Sequence, residues 1–210
     1  MSGAGSNLAA LLDAAQRDDY PAEVVLVVSN RPTATALRIA ADRGVACECL
    51  PVAEYGGDRH VRDLALRDRL RAAGVPLVVC AGYDRILDDA VLAAFPDAIL
   101  NVHPSLLPAF AGGMHAVEEA LQSGVKVSGC TVQFLEPGAP DGGTVILQAA
   151  VPVLDDDDAE SLRRRIHEQE WRLLPEAVAL WCQGRLRRAG RRVLVSPPAE
   201  QVATLRTGAR

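Results

Sequence analysis

Asn101 and His103 stand two residues apart in the stretch Ile99-Leu100-Asn101-Val102-His103-Pro104-Ser105-Leu106-Leu107-Pro108, where an apolar run meets a polar pair and then a proline-bounded turn. In a strand, residues i and i+2 project from one face, so the amide and the imidazole reach toward the same point. Both groups donate hydrogen bonds. Two donors aimed at one oxygen suit a reaction in which that oxygen becomes negative, as in acyl transfer through a tetrahedral intermediate. Asp141 lies downstream in Pro137-Gly138-Ala139-Pro140-Asp141-Gly142-Gly143, a run of turn formers carrying one acid. A carboxylate beside an imidazole favours the imidazolium and gives a migrating proton a place to stop. Spacing alone leaves a plainer reading open, with His103 closing the strand end and Asp141 facing water.

Two further places could bind a ligand. Gly5-Ser6-Asn7 precedes the helical pattern Leu8, Leu11, Leu12 and Ala15. Backbone amides at such a helix start can hold an anion such as phosphate, although ordinary turn and cap chemistry fits the same residues. Glu170 falls within the stripe Leu162, Ile166, Leu173, Val178 and Trp181. A carboxylate there must find a partner or reach water, and the spacing does not decide between the two.

The elements that position these residues alternate strand and helix. Strands are expected at 23–30, 46–50, 76–80 and from 99 onward, and helices at 33–43, 59–73 and 89–95. That order predicts βαβ units with right-handed crossovers in a doubly wound, mostly parallel α/β sheet. The carboxyl end of a sheet strand is where such folds place their chemistry. Beyond Pro108 a helix at 115–123 is followed by β-rich segments at 127–136 and 144–153. The acids Asp155 to Asp158 then open a long helix over 159–183, where the helix dipole favours negative charge. A hairpin over 184–195 and a loose tail at 196–210 complete the chain. Phosphate loops of the Gly5 type follow a strand, yet few residues precede Gly5. Either the first strand is missing, through truncation or a misassigned start, by about 5–6 residues, or the fold tolerates the gap.

The 210 residues are 49% hydrophobic and 23% charged, which fits one domain with a sizeable core. The net charge is −5, with 21 arginines and one lysine, so no basic field for nucleic acid is expected. No run approaches the roughly 18 apolar residues of a membrane span, and no signal pattern opens the chain, so a cytoplasmic location is expected. Cys47, Cys49, Cys80, Cys130 and Cys182 lack metal-site spacing. Buried thiols are expected, with no disulfide and no structural metal.

The sequence resembles the glycinamide ribonucleotide formyltransferase family, of the Rossmann-like formyltransferase fold. Its motifs are Gly5-Ser6-Asn7-Leu8, Gly82-Tyr83-Asp84-Arg85-Ile86-Leu87, the 101–108 stretch, Asp141-Gly142-Gly143 and Gln169-Glu170, in that order. The resemblance spans 2–195 and implies one domain over 1–195. Residues 1–100 would serve the substrate phosphate, and residues 101–195 catalysis and folate. The implied reaction moves a formyl group from 10-formyltetrahydrofolate to the amine of glycinamide ribonucleotide in purine synthesis. By the same resemblance Asn101 and His103 stabilise the oxyanion and Asp141 assists proton transfer. Gly5, Ser6 and Asn7 hold the phosphate, and Glu170 holds the amine. Arg85, Ile86 and Leu87, with Pro140, Asp141 and Gly142, meet the folate; His115 and Gln133 lie nearby without assigned chemistry. The implied partners are small molecules, with monomer and homodimer both open. Two loops depart from the family pattern, at Ala111-Gly112-Gly113 and at Gly143-Thr144. A formyl-folate hydrolase and an inactive, ligand-binding relative are the competing readings. The tRNA-directed members of the fold carry a further domain, for which this acidic chain has no basic counterpart.

Overall fold

The computed structural model describes residues 5–139 and 141–198. Pro140 and most of the expected tail, 199–210, lie outside the described residues, and 196–198 carry no regular structure. The first element is α1 (Ser6–Ala15), followed by β1 (Leu26–Ser29), α2 (Thr35–Asp42) and β2 (Ala46–Cys49). β1 and β2 pair in parallel with Leu26 opposite Ala46. α3 (Arg59–Ala72) begins at Asp58, whose carboxylate accepts from the backbone N–H groups of His60 and Val61. Such a cap satisfies donors that the first helical turn leaves without partners.

β3 (Val78–Cys80) and α4 (Asp89–Leu92) lead to β4 (Ile99–His103), which lies parallel to β3. The chain then passes the cis Leu107–Pro108 bond and α5 (Ala116–Gln122) into β5 (Val127–Phe134) and β6 (Val145–Pro152). The strand order is β3-β4-β5-β6, with β4–β5 and β5–β6 antiparallel. The fold is thus α/β, with its parallel strands in the half that leads to Asn101 and His103 and an antiparallel pair closing the other edge. β1 and β2 form a separate two-stranded sheet, and among the described residues no strand precedes α1.

β4 is covered on both faces, which is why its sequence reads as a continuous apolar run. Leu100 and Val102 pack with Ile166, Leu173 and Leu174 of α6 (Ala159–Cys182). Ile99 on the opposite face packs with Leu66 and Leu70 of α3 and Val91 of α4. The acids before α6 act through specific hydrogen bonds. Asp158 accepts from the Ser161 N–H while Ser161 Oγ accepts from the Asp158 N–H, and Asp157 pairs with Arg165 at 2.8 Å. The hairpin β7 (Leu186–Ala189) and β8 (Arg192–Val195) follows.

The cysteines depart in part from the expectation of buried thiols. All five are free, and Cys80 and Cys130 are buried, but Cys47 and Cys182 are exposed and Cys49 is half-buried. β2 is an edge strand open toward solvent, and Cys182 is the last residue of α6.

Candidate active site

β4 delivers Asn101 and His103 into a cleft of about 700 Å³. Gly5, Ser6, Asn7, Arg85, Ile86, Leu87, Asp141 and Glu170 line the same cleft. His103 is 5% exposed, and its Nε2 lies 2.9 Å from the Phe110 carbonyl. A carbonyl only accepts, so Nε2 carries a proton in this arrangement. Nδ1 faces Asp141 Oδ2 at 3.6 Å. The carboxylate beside Nδ1 and the carbonyl beside Nε2 together fix the orientation of the ring.

Asp141 is itself held in place. Its backbone is left-handed, with φ 48°. Oδ2 accepts from the Gly112 N–H at 3.0 Å, and Oδ1 accepts from Gln133 Nε2 at 3.3 Å. Gln133 is fully buried directly across from Asn101 in the β4–β5 register. Its Oε1 has no hydrogen-bond partner among the described residues. Gln133 is thus the positioning residue to which sequence reasoning assigns no role. Strand alternation carries the signal, but only once β5 is paired with β4 in the correct register.

The loop after Asp141 returns tightly against β5. A Cβ on Gly143 would lie 1.8 Å from the Phe134 carbonyl oxygen. Gly143→Ala is expected to push the loop and Asp141 away, at a cost of about 1–3 kcal/mol in stability. Thermal unfolding together with formyl-transfer rates checks this, and an unchanged melting point would refute it.

At the helix start, Gly5 has φ 80°, and a Cβ there would meet Ile39 Cδ1 at 2.9 Å and Ala36 Cα at 3.1 Å. Gly5 at the N-cap has no side chain to cap α1, and helix-start N–H groups of this kind suit an anionic ligand. Asn7 Nδ2 donates to Glu170 Oε2 at 2.8 Å, joining α1 to the middle of α6. Glu170 is 3% exposed, so it is a buried acid with a partner and does not reach out to solvent. Burial pushes its carboxyl up to about 7, and the Asn7 hydrogen bond pulls the other way. His167 Nε2 lies 4.0 Å from the same oxygen, and its own burial holds its pKa below the ordinary value. The Asn7 Oδ1 is buried without a partner among the described residues.

The remaining expected residues divide. Leu87 is buried and Ile86 is 61% exposed, while Arg85 stands 3.8 Å from Asp84. Gly142 does not line the cleft, because its N–H closes a turn onto the Ala139 carbonyl at 3.0 Å. His115 precedes α5 and does not line the cleft either. Met114, Arg163 and His167 do line it and carry no signal in the sequence. Among the described residues no group of His, Cys, Asp or Glu could hold a metal ion.

An amide and an imidazole at a strand end, a loop carboxylate and a helix start are thus brought to one cleft of an open α/β protein. Residues 1–178 match the family model described as formyl transferase, and the chain belongs to that family. It is 46% identical over 178 residues to the phosphoribosylglycinamide formyltransferase of Mycobacterium tuberculosis strain H37Rv, covering 85% of this chain and 80% of that one. The trifunctional purine biosynthetic protein adenosine-3 of Drosophila melanogaster is 41% identical over 186 residues, 88% of this chain. The chain spans only 14% of that relative's length. A crystal structure of glycinamide ribonucleotide transformylase 1 from Symbiobacterium toebii superposes with a TM-score of 0.90 at 48% identity, covering 94% of this chain and 92% of that one.

Proposed function

We propose that this chain transfers the formyl group of 10-formyltetrahydrofolate to the amine of glycinamide ribonucleotide, in the cytoplasm, as a step of purine synthesis. The observation that carries the reading is a single cleft holding both His103 with its Asp141 and the start of α1 bonded to Glu170. A volume of about 700 Å³ lies within the range of sites for small molecules.

The α1 amides with Ser6 and Asn7 take the phosphate, and Glu170 holds the amine. The amine nitrogen attacks the formyl carbon, and the carbonyl oxygen takes up negative charge. Asn101 and the His103 imidazolium donate hydrogen bonds to that oxygen. The bond from the formyl carbon to the folate nitrogen then breaks, and the proton leaving the amine passes by way of Asp141 and a water to that nitrogen. Arg85, Ile86 and Leu87 hold the folate together with Asp141. One domain over 1–195 carries these roles. The division at residue 100 is crossed by the Asn7–Glu170 hydrogen bond, which ties the two halves at the substrate amine.

The test is formyl transfer by the purified protein, read as loss of formyl-folate with and without the ribonucleotide. Loss that requires the ribonucleotide is expected. Loss without it would make the chain a hydrolase, and no loss in either case would overturn the reading. Asn7→Ala is expected to raise KM for the ribonucleotide by about tenfold or more, as for a lost hydrogen bond to a charged group, with KM for the folate unchanged. An equal rise in both constants would contradict this division of the site.

A further inference from the structure

The hairpin of β7 and β8 lies beyond residues 1–178, which match the family model, yet it reaches the loop that carries Asp141. Arg188 on β7 pairs with Val193 on β8. Val193 packs on the main core, as does Leu186, two residues before Arg188 on the same strand face, so this face turns inward and takes Arg188 with it. The guanidinium bridges two acids. Its Nη1 donates to Asp97 Oδ1, and its Nη2 lies 3.1 Å from Glu136 Oε1. Asp97 is fixed in turn, because its left-handed backbone (φ 52°) presents a carbonyl that accepts from Trp181 Nε1 of α6 at 2.8 Å.

The same Glu136 oxygen accepts from the Thr144 N–H at 2.9 Å and from the Thr144 hydroxyl. Thr144 follows Asp141 by three residues, and the two between are Gly142 and Gly143. Glycines leave the backbone free to turn, so the acid is steadied by whatever holds the residue after them. The Thr144 carbonyl accepts from the Phe134 N–H at 3.0 Å, and its two donors end on Glu136. Burial pushes the Glu136 carboxyl up, but the Thr144 hydrogen bonds and the Arg188 charge together outweigh it and hold the group below its ordinary value. It therefore accepts as a carboxylate, in bonds stronger than those of a neutral pair. Thr144 stands where the acid loop departs from the family pattern, so its two bonds to Glu136 do not follow from the resemblance.

We propose that Glu136 latches the loop of Asp141 and that Arg188 anchors this latch to Asp97 and the core, making both of them positioning residues for Asp141, a role that rests on the formyl transfer proposed above. Neither meets the reacting atoms. Glu136 fixes Thr144, and Thr144 limits how far Asp141 swings from His103 Nδ1 and the Gly112 N–H. An ion pair about one-third exposed adds little to overall stability, so the consequence of losing it is local.

The test uses Arg188→Met, which keeps the apolar stem and removes the charge, Thr144→Val, which removes the hydroxyl, and Thr144→Ser, which keeps it. Amide exchange at Gly112, whose N–H donates to Asp141 Oδ2, reports the acid's position without any substrate. Arg188→Met and Thr144→Val are each expected to speed that exchange by about tenfold or more, while the β4 amides exchange as in the parent. Tm is expected to stay within about 4 °C of the parent. Both variants are expected to lower kcat by about tenfold and to raise KM for the folate, with KM for the ribonucleotide within about twofold, because a small displacement of a positioned group is costly to rate. Thr144→Ser is expected to match the parent in every readout. The double variant of Arg188→Met and Thr144→Val is expected to lose no more than the larger single loss, since both act through one carboxylate. Unchanged Gly112 exchange overturns the proposal, as does faster exchange at Gly112 and β4 together, which would make Arg188 a residue of general stability. Losses that multiply in the double variant also overturn it, by separating Arg188 from Thr144. Should Arg188→Met fail to fold, the contrast of Thr144→Val with Thr144→Ser decides, and equal behaviour of the two counts against the latch. Absence of turnover in the parent would overturn the reading of the site, and Gly112 exchange still decides whether Arg188 and Thr144 hold Asp141.

Discussion

His103→Ala and Asn101→Ala are each expected to lower kcat for formyl transfer by roughly 100-fold or more, with KM for the ribonucleotide little changed. The expectation rests on the use of both groups only when the carbonyl oxygen becomes charged. His103 is nearly buried with Nδ1 facing the Asp141 carboxylate, and the Nε2–H that donates to the Phe110 carbonyl is the one that must turn or be shared toward the oxyanion as it forms. The double variant is expected to lose less than the product of the single losses, because two donors to one oxygen act as a unit. Steady-state kinetics of the three variants, with circular dichroism to confirm folding, decide the matter. Turnover within a few-fold of the parent in either single variant would mean that the oxyanion is held elsewhere.

The features of this molecule legible in its sequence are those whose cause is local. β4 reads as a strand because both of its faces are covered, and α6 reads as a helix because Leu162, Ile166, Leu173 and Val178 repeat on one side. The pairing of Asn101 with His103 follows from strand alternation alone. Asp141 is legible as an acid in a turn, but its approach to His103 depends on Gln133 and the Gly112 amide, groups 8 and 29 residues away in sequence. No local pattern encodes that. Glu170 stays undecided in the sequence for the same reason, since its partner Asn7 lies 163 residues earlier. The exposed Cys47 is misread because hydrophobic alternation does not distinguish an edge strand from a central one.

Glu170→Gln is expected to make the protein more stable and the enzyme worse. The ordinary carboxyl value is 4.5, and burial in α6 raises it to about 7. Between those values the folded chain keeps a proton that the unfolded chain has released. Stability contributed by this group is therefore fully present below about 4.5, falls as the pH rises toward 7, and stays reduced above it. The difference corresponds to roughly 3 kcal/mol at pH 8, from the 1.36 kcal/mol that accompanies each pKa unit. Glutamine keeps an oxygen to accept from Asn7 Nδ2 and has no charge to bury. The variant is expected to melt several degrees higher at pH 8, at about 2–4 °C for each kcal/mol in a chain of this size, and within about a degree of the parent at pH 4. Its KM for the ribonucleotide is expected to rise by about tenfold or more, because the amide cannot pair with the substrate's ammonium form. The two readouts separate two causes. A stable variant with normal KM would leave Glu170 a merely strained acid in the core, while a variant no more stable at pH 8 would show that the carboxylate is already well solvated. A gain in one property with a loss in the other is the signature of a charge kept buried for the sake of a ligand.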